Sequence, residues 1–160
     1  MFRSYPKKKQ LNLGGKVVKI VKSKRKRKPT EQKTYSELVK IADTLFAKAI
    51  KKKYCVDGVI QCYTCSALMT WSEEKGNKNC HLSHFQSRRS HKIRWHEDNA
   101  RPACYNCNVW NSGRIEVFEE KLIREIGLEK VNELKAIAVA PNIHDREFVL
   151  NIIVSLRGRG

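Results

Sequence analysis

Two C-x-x-C pairs, Cys62-Tyr63-Thr64-Cys65 and Cys104-Tyr105-Asn106-Cys107, constrain this chain more than any other feature. Each pair forms a tight turn whose sulfurs converge, and four thiolates match a closed tetrahedral zinc site with no open position. Such a site contributes folding energy rather than chemistry. Redox-active pairs or free thiols are the alternative reading. Cys55 and Cys80 are left over and are expected to pack as small hydrophobes, with a ligand role open for Cys80 because His81 follows it.

Thirty-eight residues separate Cys65 from Cys104. That is long for a zinc ribbon and suits a treble clef with a β-hairpin between its knuckles. Before the first pair, Thr34-Tyr35-Ser36-Glu37 fits a capping box. Leu38, Ile41, Ala42, Leu45, Phe46 and Ala49 then repeat at helical spacing, so this helix is read as core. Asp57-Gly58 predicts a hairpin turn. Strands are expected at Ala67–Trp71, Cys80–Phe85 and Ile93–Trp95, and helices from Cys107, over Ile115–Ile126, over Leu128–Val139 and after Asp145. The expected fold class is α+β: a small zinc-stapled core over 34–140, flanked by helices, with 141–160 as C-terminal helix and tail.

Residues 1–33 carry thirteen Lys or Arg and one acidic residue, Glu31. They read as a basic, largely disordered arm in which Lys24, Arg25, Lys26, Arg27 and Lys28 contact phosphates. The whole chain has a formal charge of +17, which points to a polyanionic partner. Met1–Gln10 is basic with no apolar stretch after it, and no run reaches the roughly 18 apolar residues of a membrane span. A cytoplasmic, reducing location is expected, with no membrane partner.

Between the cysteine pairs lie Cys80-His81-Leu82-Ser83-His84-Phe85 and Trp95-His96-Glu97-Asp98-Asn99, and Asn108 follows the second pair directly. Phosphodiester hydrolysis needs an activated water and a charge sink, which one divalent ion and a neutral imidazole supply. His84 is assigned as base, Asn99 as the group orienting its ring, and Asn108 as a metal-facing carboxamide. His81, three residues before His84, reaches the same side only through a bulge, and would then be a second ligand. The basic loop Arg88, Arg89, Lys92 and Arg94 is expected on phosphates. Asn/His ligation alone leaves Mg2+, Mn2+ and zinc open.

This ordered set, from Cys62 through His84, Asn99 and Cys104 to Asn108 and Ser112-Gly113, resembles the NinG/Rap family of phage recombination endonucleases, within the HNH superfamily. The likeness covers roughly residues 36 to 135. It implies a ββα-metal core on a treble-clef zinc finger, with His84, Asn99 and Asn108 at the three HNH positions. It also implies a phage-encoded enzyme in the bacterial host, cutting D-loops or Holliday junctions beside a phage or host recombinase. Symmetrical cutting would suit a homodimer. Ser83 departs from the pattern, since many HNH enzymes have an aspartate ligand there. A non-catalytic basic zinc finger that only binds nucleic acid is the competing expectation.

Overall fold

The computed structural model describes residues 29–158. Lys24–Lys28 and most of the expected arm therefore lie outside the described residues. Helix α1 (Tyr35–Lys53) starts where the capping box predicts: the Thr34 hydroxyl accepts from the Glu37 amide while the Glu37 carboxylate accepts from the Thr34 amide. Leu38, Ala42, Phe46 and Ile50 are buried along one face. The face is covered by α5 (Arg146–Arg157), which Asp145 caps. Val149 and Ile153 of α5 close this core together with Trp95 and Ala100, so residues 145–157 wall the same core as α1.

Asp57 and Gly58, at φ 50° and 76°, turn β1 (Cys55–Val56) into β2 (Val59–Gln61). Two successive left-handed residues match the twist of a two-residue hairpin. β3 (Leu68–Thr70) pairs with β2. A separate antiparallel pair joins β4 (Cys80–His84) to β5 (Ala100–Cys104), with Cys80 opposite Cys104 and His84 opposite Ala100.

Ile93–Trp95 is not the strand its alternation suggests. The chain makes a helical turn, α2 (His91–Arg94), and the partner of β4 is β5 instead. Ile93 and Trp95 alternate because they enter different cores: Ile93 joins Phe85, Phe118 and Leu122, whereas Trp95 joins α1 and α5. Pro102 obscures β5 in the sequence, and a two-stranded sheet, all edge, tolerates it.

From β5 the chain passes through a single π-helical turn, Asn106–Trp110, in place of a longer helix. Ser112, Gly113 and Arg114 follow at φ 48°, 83° and 49°. α3 (Ile115–Ile126) and α4 (Leu128–Val139) then fold back on each other through Gly127, burying Phe118, Leu122, Val131 and Leu134. No helix among the described residues is long and apolar enough to cross a membrane.

Candidate functional site

The two C-x-x-C turns meet. The sulfurs of Cys62, Cys65, Cys104 and Cys107 lie within 4.8 Å of one another, and Cys65 and Cys104 are 3.7 Å apart. A tetrahedral thiolate site with zinc–sulfur bonds of about 2.3 Å places its sulfurs about 3.8 Å apart, so the quartet fits zinc. The Cys104 amide donates to Cys62 Sγ at 3.3 Å and the Cys107 amide to Cys104 Sγ at 3.4 Å. Burial opposes a thiolate at Cys62, but the backbone donors and the Thr64 hydroxyl outweigh it and bring that thiol to about 6. Burial and the neighbouring thiols push Cys65 up to about 12. Four like groups cannot all ionise unaided, and a dication removes that conflict. Cys80, 3% exposed, packs with Ile60, Met69 and Trp71 outside the quartet.

The strand register carries His84 to the end of β4, and the π turn carries Asn108 towards it. Both line a cavity of about 280 Å³ with Ser83, Arg88, Ser112 and Gly113. A Cβ at Gly113 would come within 3.2 Å of Ser83 Oγ, so a side chain there would crowd the cavity wall. Burial and the Arg88 charge drive the His84 imidazole down to about 4, against an opposing pull from the Arg94 backbone. His84 is therefore neutral at neutral pH, as a general base requires.

Asn99 does not orient the His84 ring. It is fully buried, and its carboxamide is consumed by main chain: Oδ1 accepts from the Gln86 amide at 2.6 Å, and Nδ2 donates to the Gln86 and Ile93 carbonyls at 3.1 Å. It fastens the loop after β4. His81 stands outside the cavity lining. Its Nε2 meets the Lys78 carbonyl at 2.9 Å, and its Nδ1 meets Asn108 Nδ2 at 3.4 Å. With Nε2 donating and Nδ1 accepting, His81 holds the carboxamide of Asn108.

Among the expected phosphate contacts, Arg88 and Arg89 are exposed and Lys92 is half-buried. Arg94 is not available: its guanidinium grips Asp43 at 2.8 and 2.6 Å and donates to the Arg88 carbonyl. The surrounding cations are set on a frame that this pair braces.

No Asp or Glu among the described residues lines the cavity. Its donors are an imidazole, a carboxamide and hydroxyls, whereas Mg2+ and Mn2+ favour carboxylate and water oxygens.

Fold and site define a strongly basic α+β protein built on a four-cysteine centre able to hold a metal such as zinc. The family model described as Bacteriophage Lambda NinG protein matches residues 3–155, and the chain belongs to the NinG family. No curated protein and no solved structure gives a significant match.

Proposed function

We propose that this protein is a divalent-metal-dependent DNA endonuclease of the HNH type, with a treble-clef zinc finger as its scaffold. The observation that carries the reading is the shared cavity of His84 and Asn108, with Arg88 on its wall. His84, kept uncharged by burial and the Arg88 charge, takes the proton of an attacking water. Arg88 draws the phosphodiester in by charge. Asn108, its amide nitrogen turned to His81, would offer its side-chain oxygen to the ion. The ion, Mg2+ or Mn2+, supplies charge neutralisation at the phosphate and leaving oxygen when bound. Zinc at the cysteine quartet holds the knuckles apart from this chemistry.

Membership of the NinG family favours branched recombination DNA as the substrate, cut in the cytoplasm of a phage-infected bacterium beside a recombinase, by a homodimer where both strands are cut. The absence of a carboxylate in the cavity favours a second reading, a basic zinc finger that binds DNA and cuts nothing. Purified protein is incubated with plasmid and with synthetic four-way junctions, with added Mg2+ or Mn2+. Cutting that disappears in His84→Ala while binding persists supports the nuclease. Cutting by neither protein leaves the binding module.

A further inference from the structure

Trp110 is 74% exposed, whereas Trp71 and Trp95 are 8% and 7% exposed. It does not hang on a loose loop. The π turn that carries it is pinned by buried Cys107 of the metal quartet and by Asn111, whose side chain donates to the Asn106 carbonyl at 3.1 Å. Gly113 donates to the Cys107 carbonyl at 2.8 Å, and the left-handed run Ser112–Arg114 locks the exit. Such turns and such backbone cluster at functional sites. On the same turn, Asn108 enters the cavity of His84. Tyr105, 43% exposed, sets its ring edge-on to His81 at 5.3 Å, and His81 touches Asn108. Two exposed aromatic residues, Tyr105 and Trp110, thus stand at the two ends of the turn that carries Asn108 into the cavity.

The charge carried by the flanking chain selects the occupant. No Asp or Glu occurs from Lys75 to His96 or from Asn99 to Ile115. Lys75, Lys78, Arg88, Arg89, Lys92 and Arg114 lie in these runs, and none forms an ion pair among the described residues. A polyanion that also offers a free ring face satisfies both the cations and the indole. Duplex DNA keeps its base faces stacked inside; an unpaired base does not.

We propose that Trp110, with Tyr105 at the other end of its turn, is a stacking platform for an unpaired base of single-stranded or branched DNA near the His84 cavity. This rests on the DNA-binding part of the function proposed above and not on cutting. Stacking of one base on an aromatic ring accounts for a selectivity that phosphate contacts do not provide.

The test uses the full chain with no magnesium or manganese added, and follows tryptophan emission during titration with oligo(dT) and with a blunt duplex of equal length. Trp110 is the accessible indole among the described residues, so oligo(dT) quenches the wild-type emission and the duplex does not. Trp110→Phe removes the quenching while holding zinc and most of the affinity. Trp110→Ala weakens oligo(dT) binding roughly 5- to 150-fold, with duplex affinity little changed. The proposal is overturned if oligo(dT) quenches nothing, if Trp110→Ala weakens both DNAs equally, or if Trp110→Ala binds oligo(dT) as wild type does. It is also overturned if sedimentation shows that Trp110→Ala dissociates a dimer without altering DNA affinity, since the surface then covers a second copy. Quenching without cutting in the metal-supplemented assay sinks the nuclease alone; cutting without quenching sinks this platform alone.

Discussion

Arg101 and Glu125 form a bidentate pair, with Nη2 at 2.9 Å from Oε1 and Nε at 3.2 Å from Oε2. The guanidinium is 2% exposed and lies between the rings of Tyr54 and Tyr63, 5.6 and 5.5 Å from their centroids. Both tyrosines also donate to the Glu125 carboxylate. Tyr63 belongs to the first cysteine knuckle, Arg101 to the strand entering the second and Glu125 to α3, so one ion pair ties the metal centre to the helical half. Removing one partner of a buried pair strands the other charge. Glu125→Ala is expected to cost about 2–3 kcal/mol, below the roughly 3–5 of a fully buried pair because the carboxylate is partly exposed. Denaturant unfolding measures this, and a change under 0.5 kcal/mol by the error scale of surface substitutions refutes the keystone role.

The quartet predicts a division among the cysteines. Cys104→Ser is expected to lose metal and folded structure together, because binding free energy at a structural zinc site is folding free energy. Cys80→Ser and Cys55→Ser are expected to keep one zinc per chain, their sulfurs lying outside the quartet. Elemental analysis alongside circular dichroism checks both, and a zinc-free Cys80→Ser protein would reassign the ligands.

The long helices and the quartet were legible because their signals are local. Thr34 and Glu37 cap their own helix, and C-x-x-C spacing is a property of one turn. What escaped depends on distant partners. Arg94 looks like a phosphate contact until Asp43, fifty-one residues earlier, occupies it. Asn99 looks like a ring-orienting group until both faces of its carboxamide meet main chain. Arg101 gave no signal at all, since its meaning lies in Tyr54, Tyr63 and Glu125. Gly113 was readable as part of the family pattern, but the contact with Ser83 that explains it is tertiary.

Acid should destabilise the fold through its buried histidines. Burial lowers His84 to about 4 and also lowers His91. A histidine depressed in the folded state binds more protons when unfolded. Its contribution is therefore complete above the unfolded value near 6.5 and is lost as pH falls towards the folded value. For His84 the loss between pH 7 and pH 5 is on the order of 2 kcal/mol. Melting temperatures across this range, at fixed zinc, should fall more steeply for the wild type than for His84→Gln. Equal slopes would contradict the burial of that ring.

His81 is predicted to act through Asn108. His81→Ala frees the carboxamide to turn, and cutting is expected to fall roughly 10- to 100-fold, the scale of lost outer partners in metal sites. Zinc content and melting temperature should stay as in the wild type, because His81 is half-exposed and outside the quartet. His81→Gln, whose side-chain oxygen can accept from Asn108 Nδ2, should recover part of the rate. Unimpaired cutting by His81→Ala would leave Asn108 positioned by the π turn alone.

Arg88 and Arg94 should separate binding from folding. Arg88 is exposed on the cavity wall, so Arg88→Ala is expected to weaken DNA binding across sequences and to reduce the salt slope of log K by about 1. Arg94 is 17% exposed and clasps Asp43, which also accepts from the Trp95 indole. Arg94→Ala therefore leaves Asp43 unpaired beside the α1–α5 core and is expected to cost about 1–3 kcal/mol of stability, reduced from the fully buried case by partial exposure. Because the Arg94 charge is neutralised before DNA arrives, its loss releases no further counterion, and the salt slope of the folded variant should match the wild type. Fluorescence anisotropy across a salt series gives both slopes; a shallower slope for Arg94→Ala would mean that DNA draws this arginine away from Asp43.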